Sequence, residues 1–168
     1  MELTIVDVAP EHPGLDADVG ALIRTLRPGL TAEGFARFAA EAHGQGLVFT
    51  AAYDEQGRCV GVAAHRVLTT SRGRLLFVDD LVTAPGMRSA GIGARLVEEL
   101  EARARGAGCV RIELDSGVTN HGAHRFYHAQ RMSIAALHFA RELTAEYNEP
   151  SAPPPIRPQE RPREGHDT

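Results

Sequence analysis

Apolar positions recur along the chain with two periods, one of strands and one of helices. Leu3 to Val8 is rich in β-branched residues and reads as a strand. Two helical patterns follow, about Asp16 to Arg27 and Thr31 to His43, separated by Pro28-Gly29, with Thr31 as a start and Gly44 as a stop. Three short apolar runs come next, about Leu47 to Tyr53, Cys59 to Leu68 and Leu75 to Thr83. The turn signals Gln56-Gly57 and Ser71-Arg72-Gly73 divide them, so an antiparallel meander is predicted. Pro85-Gly86 closes the third run. From about Gly91 to Arg105, Ile92, Leu96, Val97, Leu100 and Ala104 share one helical face, and Gly106-Ala107-Gly108 ends it. A strand from Cys109 to Asp115, parallel to the one before the helix, would complete one βαβ crossover. A helix from about Asn120 to Gln130 and a final strand from Ser133 to Leu143 close the pattern. The predicted class is α+β, with a mixed, mostly antiparallel central sheet.

The length, 168 residues, is that of one domain, and 43% hydrophobic with 24% charged residues is enough to bury one core. The last stretch, Glu146 to Thr168, departs from this: it holds six of the ten prolines and only Tyr147 and Ile156 as larger apolar groups. Such a stretch cannot offset its ordering entropy by burial. The division expected is a domain over residues 1–145 and a Pro-rich, disordered or extended tail over 146–168. A net charge of -4 and a pI near 6.1 favour neither nucleic acid nor an anionic membrane surface. No apolar run nears the ~20 residues of a membrane span, and the N-terminus lacks a signal-peptide pattern. A cytoplasmic protein is expected, and Cys59 and Cys109 form neither a disulfide framework nor a metal-ligand spacing. All 18 basic residues are arginine. The absence of lysine excludes the usual P-loop and enzymes that need a Schiff-base lysine.

The stretch richest in chemistry is a strand, a loop with Arg88-x-x-Gly91-x-Gly93, and a helix. A helix N-terminus leaves backbone N–H groups without partners, at the positive end of the macrodipole. Glycines let a pyrophosphate approach those groups, and Arg88 can add a charge-assisted contact. Two readings of the glycines alone stay open. One is a tight turn used only for packing. The other is a dinucleotide-binding unit, although a third glycine is missing and the motif sits mid-chain. A second segment runs Asn120-x-x-Ala123-x-x-Phe126-Tyr127.

With these two motifs in this order, the sequence resembles the GCN5-related N-acetyltransferase (GNAT) superfamily. Arg88, Gly91 and Gly93 match its acetyl-CoA motif, and Asn120, Ala123, Phe126 and Tyr127 match its later helix; Arg131-Met132 departs from the usual Gly-Phe after it. The order of elements over residues 1 to 143 also fits. The resemblance implies an α/β/α fold whose fourth and fifth strands splay apart, leaving backbone groups at Leu81, Val82 and Thr83 for the pantetheine arm of acetyl-CoA. One N–H, at Leu81 or Val82, would polarise the thioester carbonyl. Arg88, Ser89, Ala90, Gly91, Ile92, Gly93 and Ala94 would hold the pyrophosphate, and Asn120 the pantetheine arm or a nearby loop. Tyr127 would be the general acid toward the leaving thiolate, and Asp79 or Asp80 the base, with Asp79 slightly preferred. Because the two aspartates adjoin in a strand, they are expected to face opposite sides of the sheet. The function implied is acetyl transfer to a primary amine of a small molecule or peptide, in a bacterial-type enzyme, with homodimerisation left open. A catalytically inactive CoA-sensing or protein-interaction module on the same fold is the alternative.

His121, His124 and His128 fall along one face of the last helix, where a zinc or nickel site could be built. No cysteine or carboxylate stands at ligand spacing, so no metal is expected. His138 lies on the expected last strand as a candidate substrate contact or core hydrogen bond.

Overall fold

The computed structural model describes residues 2–143. One compact unit ends at Ala135, and the described residues from Ala136 onward form no helix or strand. The Pro-rich tail lies outside the described residues.

Five strands form one sheet in the order β1 (Thr4–Val8), β2 (Val48–Tyr53), β3 (Cys59–Thr70), β4 (Gly73–Thr83) and β5 (Arg111–Leu114). The first four pair antiparallel, and β5 is parallel to β4. A π-helical stretch, Leu15–Gly20, continues into α1 (Ala21–Leu26), and α2 (Ala32–Gly44) follows. Thr31 caps α2 by accepting from the Gly34 amide at 3.0 Å. α3 (Ile92–Gly106) makes the βαβ crossover, and α4 (His121–Ala129) comes last. The sheet is mixed and mostly antiparallel, as the pattern predicts.

Two cores lie on its two faces. Val19, Leu22, Ile23, Phe35, Ala39 and Ala42 bring the first helices onto Phe49, Ala51, Val62 and Val82. Phe35, Phe38 and Phe49 meet there at ring-centroid distances of 5.8–6.3 Å. On the other face Ile92, Leu96, Leu100 and Ala104 of α3 pack on Ala52, Ala63, Leu76 and Val78. Each buried Val, Leu, Ile or Phe side chain among them contributes about 1.5–3 kcal/mol relative to exposure. Gly61 makes the approach of α3 feasible: a Cβ there would lie 2.6 Å from Ile92 Cγ2 and 3.0 Å from Leu96 Cδ1.

The expected final strand is the exception. Residues 133–143 contain no strand, and Ile134, Leu137, Phe139 and Leu143 are exposed. Alternating apolar residues favour a strand only where a neighbouring ladder receives it, and the sheet ends at the four-residue β5.

β4 departs from regular pleating at one point. His65 pairs with Val78 but Ala64 pairs with Asp80, so Asp79 is the extra residue of a β-bulge. The bulge inverts the alternation. Before it Leu76 and Val78 face α3; after it Leu81 faces α3 and Val82 faces α1 and α2. β5 also stops where the bulge begins, since the β4–β5 register runs only from Leu75↔Arg111 to Val78↔Leu114. From Asp79 to Thr83, β4 is paired on its β3 side alone.

Candidate active site

The open half of β4 has a defined polarity. The Ala84 amide donates to the Val60 carbonyl at 2.9 Å, which makes Ala84 and Val60 a hydrogen-bonded pair of the antiparallel ladder. Such pairs alternate, so Val82 is bonded to Val62, whereas Leu81 and Thr83 turn their N–H and C=O groups away from β3. That direction is where β5 has ended.

The chain then crosses to α3 through the glycine loop. Gly86 and Gly91 both have φ +82°, and Ser89 between them has φ +66°. Gly91 is the N-cap of α3, and the left-handed backbone there is one that only glycine adopts freely. A Cβ on Gly91 would meet nothing within 4 Å, so conformation rather than crowding calls for glycine. No side chain caps this helix. The amides of Ile92, Gly93 and Ala94 therefore have no intrahelical acceptor and sit at the positive end of the dipole. Arg88, Ser89 and Ala90 lie exposed in the same loop.

α4 meets the start of α3 beside the end of β4. A Cβ on Gly93 would lie 3.1 Å from Phe126 Cζ and 3.8 Å from the Thr83 methyl, so the second glycine keeps α3, β4 and α4 together. Tyr127 packs edge-on against Phe126, with centroids 5.3 Å apart. Burial pushes the Tyr127 phenol up from its ordinary value, which keeps the O–H protonated near neutral pH. Asn120 caps α4 by accepting from the Ala123 amide at 3.2 Å. That bond occupies its oxygen and leaves the NH2 as its donor. A shallow cavity of about 320 Å³ lies along α3 and the end of α4, and its lining includes Ala94, Arg95, Gln130 and Arg131 but nothing from β4.

The two aspartates correct the expectation drawn from strand alternation. Asp80 stands directly across from Ala64, which packs in the α1–α2 core. Asp79 lies diagonal to Arg66, whose own cross-strand partner, Phe77, faces away from α3. Both carboxylates thus lie on the same face of the sheet, because the bulge at Asp79 suspends the period of two. Each has a cation. Arg66 grips Asp79 with two parallel bonds, Nε at 3.0 Å and a terminal nitrogen at 2.7 Å. Arg27, just after α1, donates to Asp80 Oδ1 at 2.7 Å. The Asp80 side chain is 8% exposed. Burial pushes its carboxyl above the ordinary value, Arg27 draws it back only in part, and the neighbouring Asp79 adds to the rise.

Sequence reasoning did not single out Arg66 or the role of Arg27. The Arg27–Asp80 contact joins positions 53 residues apart, and only the folded sheet reveals it. A third polar group lies on the α3 face. Thr50 donates to Asp7 at 2.8 Å and lies 3.0 Å from His65 Nε2, which must therefore carry the proton. Arg103 pairs with Asp7 and with Glu99. The buried His65 ring is held below its ordinary pKa by burial first and by Arg103 second, against the pull of Asp7 and Asp79. The histidines of α4 make local contacts: His124 Nε2 with the Gly117 carbonyl at 2.9 Å, His128 Nδ1 with that of Met132 at 3.1 Å. Among the described residues no three His, Cys, Asp or Glu side chains gather at metal-binding distance, and no helix is long and apolar enough to cross a membrane.

The model of the acetyltransferase (GNAT) family matches residues 21–131. A search of curated proteins found no match. Among solved structures, aminoglycoside N-acetyltransferase AAC(6')-Iy, bound to a bisubstrate analogue of CoA and monomethyl-acetylneamine, superposes with a TM-score of 0.73 at 17% identity, covering 84% of this chain and 99% of that one. Glucosamine-6-phosphate N-acetyltransferase from Arabidopsis thaliana gives 0.63 at 20% identity over 86% and 100%. An integron cassette protein from the mobile metagenome of V. cholerae gives 0.71 at 22% identity over 84% and 93%. The family match spans the glycine loop, both aspartates and Tyr127, and the chain belongs to the acetyltransferase (GNAT) family.

Proposed function

We propose that the protein transfers an acetyl group from acetyl-CoA to a primary amine by direct attack on the thioester. The observation that carries this reading is the open half of β4 beside the uncapped start of α3, with α4 bringing Phe126 to Gly93 near Thr83 and Tyr127 next to Phe126. The amides of Ile92, Gly93 and Ala94, with Arg88, Ser89, Ala90 and Gly91 in the loop, fit a pyrophosphate. Leu81 and Thr83 offer unpaired backbone groups at the height where an extended pantetheine arm would lie as an added strand. The Asn120 NH2, left over by the cap, would bond that arm or the loop before α4.

Leu81 supplies the N–H for the carbonyl oxygen, because the Val82 N–H is committed to β3; a fixed dipole there stabilises the negative charge that develops as the amine attacks. The amine must first lose a proton, since an alkylammonium has a pKa near ~10. Asp80, raised by burial, accepts that proton directly or through water more readily than an ordinary carboxylate. Asp79, held by two nitrogens of Arg66, sets the field beside it. Tyr127 stays protonated and donates to the departing sulfur. A non-catalytic module on the same fold would bind CoA without needing this acid and base.

The test uses thermal stability and free-thiol release. CoA and acetyl-CoA should raise Tm, and Gly91→Glu should abolish the shift by placing charge against the pyrophosphate. Tyr127→Phe should keep the shift and lower kcat by about a hundredfold, the low end for general acid catalysis. CoA binding with no amine-dependent thiol release would favour the non-catalytic module instead.

A further inference from the structure

The two ion pairs on the α1–α2 face of β4 differ in one respect that bears on substrate class. Arg66 spends Nε and a terminal nitrogen on Asp79, and its side chain is 20% exposed. Arg27 touches Asp80 at one corner only, and its side chain is 59% exposed. A guanidinium carries five N–H donors, so most of the Arg27 fork faces outward while its charge is anchored to a buried carboxylate. Arg24, one turn earlier, is engaged by Asp16 at 2.6 Å and lies over the Phe35 ring. With Asp79 and Asp80 each matched by an arginine, this pair of carboxylates carries no net negative charge of its own to attract several ammonium groups.

We propose that the acceptor amine carries its own anion, a carboxylate or phosphate, and that Arg27 reads it while the amine meets Asp80. This deepens the acetyltransferase reading and rests on it. A zwitterion would satisfy both halves of the pair at once: its ammonium lies by the carboxylate and its anion takes the free edge of the guanidinium, in a geometry the Asp80 contact has already fixed. A polyamine would meet a cation where it needs an anion.

The experiment measures thiol release from acetyl-CoA by the full-length protein with matched acceptors: common amino acids beside their amides, O-phosphoethanolamine beside ethanolamine, and spermidine as a polycation. The anionic member of the best pair should exceed its neutral partner in kcat/KM by about tenfold or more, as expected for a charged group paired in a partly buried site. Arg27→Gln should bring that ratio near one by raising KM for the anionic member alone, and Arg27→Lys, which keeps a cation beside Asp80, should restore part of it. Preference for the neutral or polycationic acceptor, or an unchanged ratio in both variants, overturns the proposal. Thiol release with none of the amines, while CoA still raises Tm, brings down the acetyltransferase reading and this one with it.

Discussion

β4 is one strand with two different halves. From Gly73 to Val78 it is paired on both sides, to β3 and from Leu75 to β5, and Leu75, Leu76 and Val78 are buried. From Asp79 to Thr83 it keeps only β3, holds two adjacent carboxylates and shows backbone donors to a gap. The sequence changes character at the same place, from Leu-Leu-Phe-Val to Asp-Asp. One extra residue separates the halves. The bulge bends the strand away from β5 and brings both aspartates onto one face, so a single register shift creates both the slot and its charge pattern. A half with satisfied backbone is free to be only structural, whereas unpaired N–H and C=O groups need a partner. Here that partner is proposed to be the substrate.

Proline separates the halves most sharply. Val82→Pro removes a donor that the ladder with Val62 uses, and should lower Tm severely or prevent folding. Leu81→Pro removes a donor that faces the gap and costs no ladder bond. It should fold, and should lose about a hundred- to a thousandfold in kcat, the usual cost of one donor to a developing oxyanion. Leu81→Ala keeps the amide and controls for the side chain that packs toward α3. Equal kcat in the proline and alanine variants would remove Leu81 from the chemistry. In the upstream half the effect is smaller and of the opposite kind. Val78→Ala should cost about 1–3 kcal/mol of stability while leaving kcat unchanged below its lowered Tm. A large fall in kcat for that variant would mean that the two halves are coupled through the bulge.

The pattern of apolar residues was enough to place the meander and α3, because each buries a continuous stripe against a neighbour close in sequence. The loop and the uncapped helix start were legible too, through Gly91 and Gly93, since a left-handed N-cap demands glycine locally. The bulge was not. It is a property of pairing, the shift between Ala64 and His65, and no glycine or turn residue marks it. For that reason the aspartates were expected on opposite faces. Arg27 passed as an ordinary residue at the end of a helix until the fold set it against Asp80. Ser133 to Leu143 erred the other way: an apolar pattern promised a strand, and these residues form none.

The gentlest way to test the functional half is a carboxamide at Asp80. Burial raises the folded-state pKa of this carboxyl above its unfolded value, so the folded protein holds the proton more tightly than the unfolded chain. The stabilising contribution is therefore fully present below the unfolded value, near ~3.9, and is lost as pH rises through the raised folded value. Asp80→Asn has no proton to lose. Measured by urea unfolding across the acidic range, the stability of the native protein relative to the variant should decline as pH rises and then level off. At neutral pH the variant should be at least as stable, and acetyl transfer should fall. A group kept where it weakens the fold is held there for another reason, and a proton to be taken from an amine would supply one. If Asp80→Asn is instead the less stable protein at neutral pH, the ion pair with Arg27 outweighs the burial, and Asp80 belongs with the structural half of the strand.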